Sequence, residues 1–287
     1  MNFVFYLHDV SSLMEAENTL LYFKNRYKII SAEHIEDLIS GSDNLDNRVI
    51  LTIDDGWKST YDYFYPMCKK HNIPVTIFVS PQVAKKEENL WFYKLRYCDK
   101  DKIVKDLVEQ CYFTNEICNY HLEDVLKELQ IDEVNRIIDA HLLQQPPRGF
   151  CNVDELRDMY QSGLVTIGAH TLTHPILASE SQERANKEIY GSIQELSAIL
   201  QAEVSLFAYP NGLRGLDFGK REMLICKENG IKWAFSVDPG ILLKGVNTMA
   251  IPRCGSIQRL KLGRLGMILP SFYNQAGKRK SIKQMKR

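Results

Sequence analysis

A chain of 287 residues, 45% apolar and 25% charged, is long enough for one large α/β domain or two small ones. Its formal charge of zero excludes a body built to hold nucleic acid, and only the tail Gly277–Arg287, with six basic residues and no acidic one, is strongly charged. The seven cysteines are scattered, with no C-x-x-C pair, which argues against a disulfide framework or a zinc ribbon. Reduced thiols and the absence of a basic leader or a membrane-length apolar run set the expectation of a soluble, cytoplasmic protein.

In chain order, Phe3 to Leu7 reads as a short strand ending at His8-Asp9, and Ser12 to Tyr27 has helical spacing. A short strand at 28–31, a helix at 32–39 and a loop at 40–47 lead to Val49–Ile53, β-branched and apolar throughout, as expected of a strand covered on both faces. Trp57 to His71 is a predicted helix with Tyr61, Phe64 and Met67 on one face, and Ile73 to Ser80 is the next buried strand. Residues 85–160 are charged, helical in pattern and poor in glycine, which predicts a helical insertion or lid that opens at Leu90-Trp-Phe-Tyr93 and closes at Pro146-Pro147. Beyond it come a helix at 153–162, a strand at 165–168, a long amphipathic helix at 182–201, a strand at 204–209, a helix at 217–229 and a strand at 233–237. Alternating strands and helices imply βα units around a largely parallel sheet or barrel.

Ligands in such folds bind at the carboxyl ends of the strands. That edge collects His8 from the first strand, Asp54 and Asp55 from a central one, His170 from another and Tyr209-Pro-Asn from a fourth. Asp54-Asp-Gly56 is also ordinary turn chemistry, so the pair alone does not establish a site. The second polar cluster is Gly168-Ala-His-Thr-Leu-Thr-His-Pro175, in which histidines four apart can meet on one side of a turn while Pro175 biases His174 away from the helical region. Two imidazoles and one carboxylate would leave a coordination position open, the pattern of a catalytic rather than a structural zinc site.

Val49-Ile-Leu-Thr-Ile-Asp-Asp-Gly56, Gly168-Ala-His-Thr-Leu-Thr-His-Pro-Ile-Leu177 and Phe207-Ala-Tyr-Pro-Asn-Gly212 resemble, in order and spacing, the first three motifs of the polysaccharide deacetylases, the NodB-homology fold of carbohydrate esterase family 4. The resemblance covers roughly residues 3–255. It implies a distorted (β/α) barrel of about seven strands with a helical insertion. It also implies a divalent metal, usually zinc, held by Asp55, His170 and His174, with Asp54 as the general base and the backbone N–H of Tyr209 as an oxyanion donor. Pro210 and Asn211 of the third motif would face the substrate. Where many members carry an arginine in that motif this chain has Ala208, and Arg253 in Ile251-Pro-Arg-Cys-Gly255 could supply the charge from another strand. The late histidine that usually serves as the general acid is absent, since no histidine follows His174. Tyr6-Leu-His-Asp-Val10 is similar to the Y-H-x-V opening of rearranged members, which makes His8 the expected acid, with Asp9 or Asp238 as weaker candidates for orienting it. Trp91, with Phe92 and Tyr93, is expected either to stack on a sugar ring or to belong to the core.

The resulting expectation is a catalytic domain over 1–255, with the insertion at 85–160, followed by a tail over 256–287 that is disordered or lies on a membrane. The enzyme would be a metal-dependent N-deacetylase acting on an amino sugar of a cell-surface glycan, on the inner face of the membrane where the substrate is lipid-linked. A deformylase of a lipid-linked amino sugar and a glycan-binding protein without catalysis are the alternatives. No role is expected for His34, His71, His121 or His141.

Overall fold

The computed structural model describes residues 2–39, 47–261 and 275–286. The expected loop at 40–47 falls almost wholly outside them. Seven strands form one sheet: β1 (Phe3–Leu7), β2 (Lys28–Ile29), β3 (Arg48–Ile53), β4 (Val75–Val79), β5 (Val165–Ala169), β6 (Leu206–Ala208) and β7 (Trp233–Phe235). All pairings are parallel, in the order β1-β3-β4-β5-β6-β7. β2 takes the start of the β3 edge and β4 takes its end, so one strand serves two partners on that side.

The sheet curls, and the segment around Ile251–Cys254 bridges its two edges. Phe235 pairs with Ile251 and Phe5 with Cys254, both in parallel register, through backbone bonds such as Ile251 N–H to Ala234 O (2.8 Å) and Cys254 N–H to Val4 O (2.9 Å). The result is the expected distorted barrel. Val4, Ile50, Phe78, Leu206, Phe235 and Ile251 pack together as one apolar cluster. A larger cluster lies between the sheet and the helices Leu13–Lys24, Tyr65–His71, Val153–Gln161, Gln182–Leu200 and Lys220–Glu228. This layering explains why the strands read as unbroken apolar runs: both of their faces are covered.

Three features depart from expectation. The predicted helix at 57–71 contains a π-helical turn, Thr60–Phe64, before the regular helix Tyr65–His71. Pro66 has no N–H for the usual bond to the preceding turn, which is where a helix changes register most cheaply. Second, the helical insertion has its own core, from Trp91 to Ile138. The helix Val153–Gln161, which follows the insertion as expected, packs Leu156 and Met159 into the main core. Third, the described end of the basic tail packs against the rest of the protein. Gln275–Met285 is a helix that buries Ile282 in the core of the insertion. Its Arg279 is 3% exposed and donates from Nε to Glu128 (2.5 Å) and from Nη1 to Asp217. Residues 262–274 of the expected tail lie outside the described residues.

Candidate active site

The carboxyl ends of the parallel strands open into a cavity of about 380 Å³. Its wall includes His8 after β1, Asp54 and Asp55 after β3, His170 and His174 after β5, and Asn211 after β6. Leaving the strands here demands unusual backbone. Asp55, Thr171, His174 and Asn211 all have positive φ, from 57° to 72°, a sparsely populated region for non-glycine residues that tends to cluster at functional sites. Gly56, at φ 70°, is required twice over, since a Cβ there would sit 2.7 Å from Val79 Cγ1.

Asp55, His170 and His174 are buried, and one ligand atom from each lies within 4.8 Å of the others. Both imidazole Nε2 atoms face the same carboxylate oxygen, Asp55 Oδ1, at 3.4 Å (His170) and 3.3 Å (His174). The Nδ1 of His170 must be the protonated nitrogen, because its partner at 2.7 Å is the carbonyl of Ala208. Its Nε2 therefore presents a lone pair to a carboxylate. Two acceptors aimed at one point need a cation between them, so the donor set fits a divalent metal with a vacant coordination position. Burial pushes the His174 imidazole pKa down, which favours the neutral, ligating form. Burial would raise the carboxyl of Asp55, but the two imidazoles beside it outweigh burial and hold the group well below the usual range.

The three side chains of this cluster are themselves held. The indole Nε1–H of Trp57 donates to Asp55 Oδ2 at 3.0 Å, leaving Oδ1 for the histidines. His174 is fixed through its backbone: its N–H donates to Thr171 Oγ1 (3.0 Å) and its carbonyl accepts from Trp91 Nε1 (3.1 Å). Between the histidines, Thr173 donates its N–H and its hydroxyl to the two oxygens of buried Glu188 (2.9 Å each) on the long helix Gln182–Leu200.

Asp54 is held differently. Arg253, fully buried, donates from Nη1 to Oδ1 (2.7 Å) and from Nη2 to Oδ2 (2.8 Å), with further bonds to Thr52 Oγ1 (3.1 Å) and the Ser236 carbonyl (2.9 Å). Its guanidinium carbon lies 4.9 Å from the centre of the Tyr6 ring and 5.7 Å from that of Phe78. Burial would raise the Asp54 pKa, yet the Arg253 charge prevails and the carboxyl titrates below its ordinary value. At neutral pH Asp54 is thus an ionised, oriented carboxylate beside the Asp-His-His cluster.

Other expected site residues are placed as follows. His8 lines the cavity and is exposed, its ring edge-on to Tyr6 at 5.6 Å. Asp9 accepts from the Ser59 hydroxyl and Asp238 from the Arg214 N–H (3.3 Å). Tyr209 does not fit the expected oxyanion role. Its N–H is already donated to the Phe235 carbonyl (3.1 Å), and its ring is buried against Phe218 with its hydroxyl on the Met249 carbonyl. Pro210 is also off the cavity wall, whereas Asn211 is on it. Trp91 lines the cavity at 3% exposure with its indole N–H on the His174 carbonyl, and Phe92, half-buried and also on the wall, packs edge-on to His174 at 5.0 Å. Tyr93 turns away, onto Trp57 and Phe150. Trp57 was not anticipated, although its place two residues after Asp55 was the available signal.

The profile of the polysaccharide deacetylase family matches residues 41–230. Among solved structures, the fold is similar to IcaB of Ammonifex degensii (TM-score 0.61, 16% identity, 93% of this chain and 97% of that one). It is similar as well to the deacetylase PplD of Streptococcus pyogenes (0.61, 16%, 94% and 98%) and to a de-N-acetylase of Aggregatibacter actinomycetemcomitans (0.59, 18%, 91% and 98%). No protein of curated function matches it in sequence. With the barrel, the three motifs and the buried Asp-His-His cluster in agreement, the chain belongs to the polysaccharide deacetylase family.

Proposed function

We propose that this protein is a metal-dependent hydrolase that removes an N-acetyl group from an amino sugar of a cell-surface glycan or of its lipid-linked precursor. One observation carries the reading: a free acceptor triad, Asp55, His170 and His174, shares a cavity with an ionised carboxylate, Asp54, that makes no part of it. A divalent ion, with zinc the best match to two imidazoles and a carboxylate, would supply Lewis acidity toward an acyl oxygen. Asp54 is positioned to take a proton from the attacking water, and Arg253 keeps it ionised and aimed while the barrel interior excludes bulk solvent. His8, reached from the opposite flank of the strand edge, would protonate the leaving amine. With the Tyr209 N–H committed elsewhere, Asn211 is the residue of the third motif that borders the cavity and could donate to a developing oxyanion.

Ala208 does not weaken this reading, because Arg253 supplies the missing charge and the Ala208 carbonyl orients His170. The same residues would serve a deformylase, and acetylated and formylated forms of one amino sugar, assayed side by side, separate the two. A cytoplasmic setting accords with the seven free cysteines, and among the described residues no helix is long and apolar enough to cross a membrane. Contact with the inner membrane face would accompany a lipid-linked substrate and is checked by vesicle flotation.

The decisive measurement is acetate release from an N-acetylated hexosamine oligomer, with metal content determined on the same samples. Asp54→Asn should lower turnover by about 10²–10⁴-fold and keep its metal. His174→Ala should lose both metal and activity. Unchanged hydrolysis in Asp54→Asn removes Asp54 as the base, and full activity in His8→Ala removes His8 as the acid.

A further inference from the structure

The metal-site cavity reaches the insertion. A second cavity of about 640 Å³ lies over the helices that follow Leu90 and shares Phe92, Arg96 and Glu123 with the first, so the two adjoin along these side chains. Arg96 stands at the junction. Its guanidinium carbon is 5.4 Å from the ring centre of Trp57 and 5.4 Å from that of Tyr93, which fixes the cation by stacking and places it one indole away from Asp55.

The charges along the second cavity are unequally matched. Lys127 takes both of its acidic residues, Glu123 at 2.8 Å and Asp124 at 3.6 Å. Arg96, Lys100 and His121 remain exposed on the wall, and none of the three meets a carboxylate among the described residues. Elsewhere on the insertion cations are ordinarily paired: Lys94 with Asp139, Lys102 with Asp99, Lys105 with Glu109. Two unmatched cations and a histidine, facing a cavity that adjoins the one holding the candidate reacting groups, form a place for an anion carried by the substrate.

We propose that Arg96, Lys100 and His121 form a subsite for a phosphoryl group attached to the amino sugar, so that the substrate class is a sugar phosphate or diphosphate rather than a neutral glycan. Arg96 would hold the group through its planar fork, Lys100 would add a mobile point charge and His121 a further donor. This deepens the deacetylase reading by naming what lies beyond the acyl group, and rests on that reading only for the orientation of the sugar. The phosphoryl group could come from a membrane lipid or from a soluble nucleotide; the subsite chemistry is common to both.

Calorimetric titration of the metal-loaded protein with N-acetylglucosamine 1-phosphate and with N-acetylglucosamine provides the test. The phosphorylated sugar should bind about 10–100-fold more tightly, the range expected of one or two hydrogen bonds to a charged group. An Arg96→Gln/Lys100→Gln double variant should lose that preference while its metal content matches wild type, which shows that the cavity is still folded. Equal affinities for the two sugars overturn the proposal. So does a preference that survives in the double variant, since the anion would then be sitting on the metal. Acetate release from the same two sugars keeps the two readings apart. Hydrolysis without a phosphate preference discards the subsite alone, whereas a binding preference without hydrolysis of either sugar discards the deacetylase reading alone. A nucleotide-linked and a polyprenyl-phosphate-linked sugar, compared last, identify which source of the phosphoryl group fits the cleft.

Discussion

Arg253 in the barrel and Arg279 in the C-terminal helix are both buried, both supplied late in the chain, and both tied to carboxylates far away in sequence. Arg253 closes the sheet and, on the proposed mechanism, holds a reacting group, with Thr52, Ser236 and two aromatic rings completing its shell. Arg279 touches nothing in the cavity. It joins Glu128 of the insertion to Asp217 in the loop after β6, and Asp217 in turn accepts the Leu213 N–H at 2.9 Å. A buried arginine therefore does not by itself mark a site. What distinguishes Arg253 is that its carboxylate partner borders an open cavity.

Mutation of each arginine sharpens the contrast. Arg253→Met should cost about 3–5 kcal/mol of stability by leaving Asp54 buried without its partner. Turnover per folded molecule should fall as well, because Asp54 would no longer be held ionised or aimed. Arg279→Met should destabilise by the low end of the same range, about 3 kcal/mol, since Glu128 keeps Lys283 at 3.6 Å. Denaturant titration gives both numbers. The comparison fails if Arg279→Met, assayed well below its melting transition, loses metal or turnover as severely as Arg253→Met.

The barrel was legible because covered strands make uniform apolar runs and because polar residues at their ends stand out against them. Asp54, Asp55, His170 and His174 needed only that periodicity and three motifs. Arg253 was visible as a candidate, but its pairing with Asp54, 199 positions away, depends on the 251–254 segment bridging β7 and β1. The engagement of the Tyr209 N–H was hidden for a related reason. Which N–H at the end of β6 is free depends on the ladder with β7, and the last bond of that ladder takes the Tyr209 N–H to the Phe235 carbonyl. The helical tail was read from charge alone. Only its packing shows that Arg279 and Ile282 face inward while Lys278 and Lys280 face out.

The smallest effects should come from residues that hold the ligands without touching the reacting atoms. Trp57→Phe keeps the ring packed against Phe150, at a centroid distance of 4.6 Å, but removes the N–H that occupies Asp55 Oδ2. Metal affinity should fall by about 10–100-fold, as is usual when an outer partner of a ligand is lost. Stability should fall by only about 1 kcal/mol, the value of one hydrogen bond. Chelator competition on the two proteins measures the first and denaturant titration the second. A carboxylate freed at Oδ2 could turn to face the metal with both oxygens, in which case affinity would not fall and Trp57 would only be packing. The two results assign the orientation of Asp55 either to the indole or to the strained turn at Asp55-Gly56, whose positive φ values already restrict where that carboxylate can point.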